Sequence, residues 1–451
     1  MVLAFWWRGR HDRVMAFSHR GGRRDQQFLL PPSLDEWLPQ DHLARFVVST
    51  VERLDLSAFA RPHRADGKGR RSYDPKMLVA LVLYAWCEGQ RSSRRIERCC
   101  VEQIPFRWVT GNDGPDHSTI ARFIKDRAVE IDGLFVQVLR LAFTAGMGRV
   151  GVVAIDGTKM AADASPLQSM TRKRLEDEVR RIREEHQAND DADDERFGDR
   201  RGDELPAELA DPATRDARIT EALRQIEAED AVAAQDHAAK VAARKGRGGR
   251  PAKPPAPTGR KANVTDPDCR VMKGPRGFGP AYNAQAAVSE DQLIIEVDVT
   301  QDRADNAQFS PMAAAVTEQL DDLGVRAPDA FVADAGYWNP TIFDDNNGAD
   351  GPEVLVPPAP NKQRRKLKLR GPIPAAATLA QRMERTLATR RGRTLYKKRA
   401  VIVEPVFGQI KGARGITRFR QRGLENVNHE WRLIATTHNL RKMWHAGISY
   451  S

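Results

Sequence analysis

The stretch VGVVAID, residues 150–156, marks a change in the character of the sequence. It is a near-continuous β-branched run closed by an acid. Such a run predicts a strand buried on both faces, in the middle of a sheet. Upstream, from about residue 34 to residue 146, the apolar positions follow a helical period. Downstream, β-type runs alternate with helical stretches. The fold class is therefore read as α/β: a mixed sheet with flanking helices, preceded by an all-α region.

Further strands are expected in AYNAQAAVSEDQLIIEVDVTQ (281–301), where two runs flank a turn at SED and suggest a hairpin. AFVADAG (330–336) repeats the pattern of a buried strand ending in an acid, and EVLVPPA (353–359) is a further short strand. A helix is expected between them in NAQFSPMAAAVTEQLDDLG (306–324). Residues 166–262 interrupt this pattern. They hold charged helical stretches and end in KGRGGRPAKPPAPTGRK, which reads as an inserted helical hairpin followed by a basic linker.

In the helical region, DPKMLVALVLYAWCEG (74–89) carries a capping Asp74, Pro75 at the first helical position and Gly89 at its end. It is apolar nearly all round, as a buried central helix is. DHSTIARFIKDRAVEIDGLFVQVLRLAFTAG (116–146) predicts one long helix capped by Ser118. Arg91, Arg94, Arg95, Arg122 and Lys125 are expected on exposed faces. Short helices so decorated fit either a helix-turn-helix-like DNA-binding module or an ordinary bundle with basic solvent faces.

The chain has 451 residues and a formal net charge of +11. The length suits about two to four domains. The charge is unevenly spread. Residues 362–422 hold 19 Lys or Arg against two acids, Glu384 and Glu404, so the rest of the chain is net negative. Apolar residues recur inside the basic run at Val401, Val403, Val406, Phe407 and Ile410, which argues against a plain solvated tail. A polyphosphate partner is the better reading. Four cysteines form no CxxC pair and predict unpaired thiols in a reducing compartment. The longest apolar run, residues 77–86, is too short to span a bilayer. Residues 1–25 read as a disordered or misannotated lead, with Met15 the more ordinary start.

Three acids stand out. Asp156 and Asp334 close buried strands, and acids there point toward the edge where open α/β sheets build sites. Glu404 is expected in the first part of a helix, beside Pro405. Singly, each could cap a turn. Brought together, they would repel unless a cation compensated them. All-oxygen donors favour Mg²⁺ or Mn²⁺, and two such ions could serve phosphodiester chemistry. Asp163, Asp298 and Asp302 compete for the same place, Asp163 as a substitute.

The stretches AIDGTKMAADAS, ADAGYW and YKKRAVIVEPVFGQIK, in that order, resemble the DDE transposases of bacterial insertion sequences. That family's signature around its last acid is Tyr, two residues, Arg, three residues, Glu, six residues, Lys. Tyr396, Arg399, Glu404 and Lys411 match in type, with four residues between Arg399 and Glu404 in place of three. The likeness extends to residues 265–300 and to PPSLDEWLPQDHLARF, RRSYDPKMLVALVLYAW and DHSTIARF in the helical region.

The resemblance implies an RNase H-like catalytic core over 148–165 and 263–446, a helical DNA-binding domain over 26–147 and a variable insertion over 166–262. It implies that Asp156, Asp334 and Glu404 are catalytic and hold two Mg²⁺ or Mn²⁺ ions. Tyr396, Arg399 and Lys411, with Arg414 and Arg418, would contact DNA. The partners implied are double-stranded DNA at terminal inverted repeats, target DNA and a second copy in a homodimer, with no membrane. The location implied is the cytoplasm, on the nucleoid. Two other readings stay open: a catalytically silent DNA-binding relic or repressor, and a nuclease of the same fold without strand transfer. Trp431 and Trp444 read as core residues.

Overall fold

The computed structural model describes residues 33–59, 73–190, 212–243, 260–274, 277–343, 351–359, 374 and 376–449. The expected lead at 1–25, the basic linker after residue 243 and the start of the basic run lie outside these residues.

The first region is helical: α1 (Leu34–Trp37), α2 (Leu43–Val51), α3 (Pro75–Cys87), α4 (Ser93–Glu102), α5 (Ile104–Val109), α6 (His117–Asp126) and α7 (Ala128–Thr144). Helix α3 starts where the sequence indicates. Asp74 accepts a hydrogen bond from the Lys76 amide at 2.9 Å, and Gly89 leaves the helix at φ +73°. Its residues from Leu78 to Cys87 are all buried. The single helix expected over 116–146 is two. Arg127 has left helical geometry at φ −119°, and its guanidinium bonds to the Phe59 carbonyl and to Glu130. The cap is Asp116, not Ser118: the Asp116 carboxylate accepts from the Thr119 amide at 2.8 Å and from the Ser118 hydroxyl. A carboxylate is the stronger acceptor at a helix start.

A six-stranded mixed sheet follows. Its strands are β1 (Val152–Ala161), β4 (Arg270–Gly274), β5 (Gly277–Val288), β6 (Ile294–Thr300), β7 (Ala330–Val332) and β8 (Glu353–Leu355). β1 is central. It pairs antiparallel with β5, from Ala154↔Val288 to Ala161↔Ala281, and parallel with β7, from Val152↔Ala330 to Ala154↔Val332. β5 also pairs with β4 and β6, both antiparallel, and β7 pairs with β8 in parallel. The connection from β6 to β7 carries α10 (Phe309–Asp322).

Asp156 therefore does not end its strand as expected. Pairing with β5 carries β1 five residues further. On the other edge β7 stops at Val332, so β1 and β7 part company two residues before Asp156 and two before Asp334.

Where it is described, the insertion is largely helical. α8 (Arg172–Asp190) and α9 (Pro212–Ala243) pack together and on the small sheet β2 (Ser169–Thr171) and β3 (Lys261–Asn263). It has its own apolar cluster, with Leu175, Ile219 and Ile226 fully covered. Glu229 ties it to the main sheet through Arg270 at 2.7 Å and Arg303 at 3.6 Å.

The chain closes with α11 (Leu379–Ala388), α12 (Arg390–Gly408), a π turn over Gln409–Ala413 and α13 (Leu424–His445). α13 lies between α3 and α7 on one side and β6 on the other. One apolar cluster runs from Leu38 in the helical region through the sheet to Met443. Trp431 lies inside it, its indole N–H donating to the Gln285 carbonyl at 2.8 Å, and Trp444 packs at its margin. The four cysteines are free and buried. Among the described residues, no helix is long and apolar enough to cross a membrane.

Candidate active site

Glu404 lies in the last turns of α12, not in its first part. The helix begins at Arg390, capped by the Thr389 side chain, so the basic residues before Glu404 are themselves helical. Pro405 stands inside the helix. It has no N–H to give to the Val401 carbonyl four residues back. That carbonyl accepts instead from the Gln292 side chain at 2.9 Å, in the turn between β5 and β6. The proline thus fastens α12 to the sheet just before Glu404.

The three expected acids come from β1, from the turn after β7 and from α12. They meet at one side chain, Arg399. Its Nη2 donates to Asp156 Oδ2 at 3.2 Å and lies 3.7 Å from Asp334 Oδ2. Its Nη1 donates to Glu404 Oε1 at 2.9 Å. Burial opposes the arginine's charge, and Asp156, Asp334, Tyr396 and Glu404 outweigh it, so the guanidinium is held more firmly protonated than usual. Asp156 is the covered member, its side chain 14% exposed, against 44% for Asp334 and 57% for Glu404. Burial pushes its carboxyl up to about 6. Arg399 opposes the shift, and the charges of Asp334 and Asp305 add to it. Asp334 also caps the short turn Ala335–Tyr337, accepting from the Gly336 amide at 2.7 Å.

Asp305 is a fourth acid of this neighbourhood, and sequence reasoning missed it. Its Oδ1 accepts from Lys159 Nζ at 3.2 Å, Asn283 Nδ2 at 2.6 Å and Gln285 Nε2 at 3.0 Å. Gln285 Oε1 in turn accepts from the Tyr337 hydroxyl, three residues past Asp334. A polar chain therefore links β1, beside Asp156, to the turn that holds Asp334. The signal in the sequence was the spacing of Asn283 and Gln285, two polar residues on one face of an otherwise apolar strand. Asp163, Asp298 and Asp302 bond elsewhere: to Arg422, to Asn428 and to Gln308.

The expected DNA contacts divide. Tyr396 packs against the core beside Arg399. Arg399 lies among the acids. Lys411 is turned onto β1, its ammonium donating to the Thr158 hydroxyl and to the Lys159 carbonyl at 2.9 Å, and burial lowers its pKa. Arg418 is exposed, where the chain bridges to Ala161 at the end of β1. Arg414 is turned inward. Its guanidinium is inside the protein, bonded to the carbonyls of Trp86 at 2.9 Å and Ile434 at 3.2 Å and to the Thr437 hydroxyl at 2.6 Å. Burial lowers its pKa to about 10. Arg91 corrects the expectation of an exposed face. It is not on a solvent face but pairs at 2.6 Å with Glu430, whose side chain is fully covered. Arg94, Arg95, Arg122 and Lys125 are exposed.

Among the described residues, no group of three or more His, Cys, Asp or Glu is arranged to hold a metal ion. The centre of the acid triad is filled by the guanidinium. The donor set nevertheless suits a hard divalent cation: three carboxylates converge on one positive charge, with no thiol or imidazole among them.

Comparison with known proteins gives two family matches. Residues 32–126 match the family described as Transposase domain (DUF772), and residues 359–444 match the Transposase DDE domain. The second match contains Tyr396, Arg399, Glu404 and Lys411. No curated protein and no solved structure matches the chain. A helical transposase segment ahead of a DDE segment is the order of a transposase. More narrowly, the two matches support a DDE transposase of an insertion sequence. That family generally uses divalent metal ions.

Proposed function

We propose that the protein cleaves DNA strands at the ends of its insertion sequence and transfers the freed ends to target DNA. Asp156, Asp334 and Glu404 are the catalytic acids in this reading. The observation that carries it is the meeting of these three acids, far apart in sequence, around a single cation. The sheet supports an RNase H-like core over 148–165 and 263–446: β6, β5 and β1 are antiparallel, and β1, β7 and β8 are parallel.

The three acids would hold the divalent ions, Mg²⁺ or Mn²⁺, in a pair. Bound there, the ions would activate the attacking oxygen and stabilise the leaving one. The chain's own residues do the rest. β1 buries Asp156 and limits water around it. The Asp305–Gln285–Tyr337 chain holds the Asp334 turn against β1. Pro405 and Gln292 fix the helix that brings Glu404. Tyr396, Arg399 and Arg418, with the exposed Arg94, Arg95, Arg122 and Lys125 of the helical domain (26–147), would bind terminal-repeat and target DNA through its phosphates. The insertion, 166–262, is an appended module. The working form is a homodimer on two element ends, at the nucleoid.

Strand cleavage of duplex DNA carrying the element end, with Mg²⁺, tests the reading. Asp156→Asn is expected to lower the rate by at least about a hundredfold while DNA affinity holds, since the ligand set is broken and the phosphate contacts are not. Equal rates for the two proteins would remove the catalytic assignment. Joining of a pre-cleaved 3′ end into plasmid DNA separates a transposase from a nuclease.

A further inference from the structure

We propose that Arg399 occupies the cation site of the free protein, and that divalent ions enter only as its guanidinium leaves. This rests on the reading of Asp156, Asp334 and Glu404 as the ion-holding set. The geometry is specific. One planar guanidinium spans all three acids, with contacts of 3.2, 3.7 and 2.9 Å. An ion held by the same carboxylate oxygens and a guanidinium bonded to them exclude one another by space and by charge.

The arginine has little else to hold it. Its Nη atoms are engaged by the acids, and its Nε is buried with no hydrogen-bond partner among the described residues. Arg414, fifteen residues on, also has a buried Nε without a partner among the described residues, but its Nη atoms are fixed by two backbone carbonyls and a hydroxyl of the scaffold, whereas those of Arg399 are held by the three carboxylates alone. Once cations take the carboxylates, Arg399 loses its partners and must find another anion. It lies on α12 five residues before Glu404, so a change of side-chain rotamer moves its charge without moving the helix. The nearest suitable anion in a loaded complex is a DNA phosphate.

One arginine thereby does two things in sequence. In the free protein it neutralises acids that would otherwise repel and keeps metal-activated chemistry switched off. With DNA and ions present, the same charge is released to the substrate. Coupling of this kind is reciprocal: DNA that captures Arg399 favours ion binding, and ions favour capture.

The test reads ion binding directly, without DNA and without turnover. Free Mn²⁺ is titrated by electron paramagnetic resonance against the full chain, as wild type, Arg399→Gln, and Arg399→Gln combined with Asp156→Asn. Arg399→Gln is expected to bind Mn²⁺ about tenfold more tightly than wild type or better, about 1.4 kcal/mol, and the double variant to lose that binding. Equal or weaker binding by Arg399→Gln, with binding still lost in the double variant, overturns this inference and leaves the ion-site reading standing. No Mn²⁺ bound by any of them, or binding indifferent to Asp156→Asn, overturns both. If Arg399→Gln does not fold, Arg399→Lys answers the same question. A single ammonium cannot span three carboxylates, so its Mn²⁺ affinity should exceed that of wild type, and a value no higher than wild type overturns the inference.

Discussion

A methyl group on Gly157 would stand 2.9 Å from Asp305 Oδ1 and closer still to Gln285 Nε2. The residue after the first acid is thus a glycine because a carboxylate and an amide close over it. Both are tied down, Gln285 to Tyr337 and Asp305 to Lys159 and Asn283. Gly157→Ala is therefore expected to cost roughly 1–3 kcal/mol, as overpacking does. It should lower the denaturant midpoint with an unchanged m value. A shift below about 0.5 kcal/mol, ordinary for a surface site, would mean that the carboxylate moves aside freely.

The Asp156 carboxyl predicts a pH dependence with a definite sign. Its ordinary value is 3.8, and burial raises it to about 6 in the folded protein. Between those values the folded state holds a proton that the unfolded state has released. Its contribution to stability is therefore greatest at low pH and falls as pH rises through this window, by roughly 2–3 kcal/mol at most. Divalent ions reverse the trend, because they bind the ionised carboxyl. The rise in melting temperature on adding saturating Mg²⁺ should be larger at pH 7 than at pH 5. Apparent affinity should drop about tenfold for each pH unit below about 6. A metal-induced shift independent of pH would mean that Asp156 is not a ligand.

Lys411 meets the strand where a DNA contact was expected of it. Its ammonium has the Thr158 hydroxyl and the Lys159 carbonyl within reach, one residue and two residues past Gly157. Hydrogen bonds to charged groups stabilise by about 1.5–3 kcal/mol, so Lys411→Ala should destabilise the fold by about that much. The loss should appear in urea melts without DNA. Unchanged stability with weakened DNA binding would restore Lys411 to the phosphate-binding set.

Much of this was legible in the sequence, for physical reasons that also mark the limit. Val150 to Asp156 reads as a central strand because β-branched runs have few other uses, and from Val152 onward it is one. Asp74, Pro75 and Gly89 bound α3 because caps act locally. The three acids could be singled out because Asp156 and Asp334 come at the end of readable apolar runs and Glu404 stands alone in a basic stretch. What escaped depends on partners distant in the chain. The full length of β1 is set by β5, more than a hundred residues on. Asp305 looks like a loop acid until Asn283 and Gln285 are seen pointing at it. Arg414 and Arg91 look like their neighbours until α13 covers them. Charge alone does not say which arginines face solvent.

Arg414 and Arg418, four residues apart in the same basic run, therefore separate cleanly under mutation. Arg414 is turned inward, and its removal takes away its bonds to two carbonyls and a hydroxyl between α3 and α13, each of which keeps another partner. Arg414→Ala should cost about 1.5–3 kcal/mol, the scale for hydrogen bonds to a charged group. DNA affinity measured on whatever remains folded should change little. Arg418 is exposed, so Arg418→Ala should leave stability within about 0.5 kcal/mol. It should instead weaken DNA binding across sequences and lower the slope of log K against log salt by about one. Melting curves and a salt series on the two variants decide the matter. A reversed pattern would place Arg414 at the DNA after all, and α13 would no longer be the element that seals the helical region to the sheet.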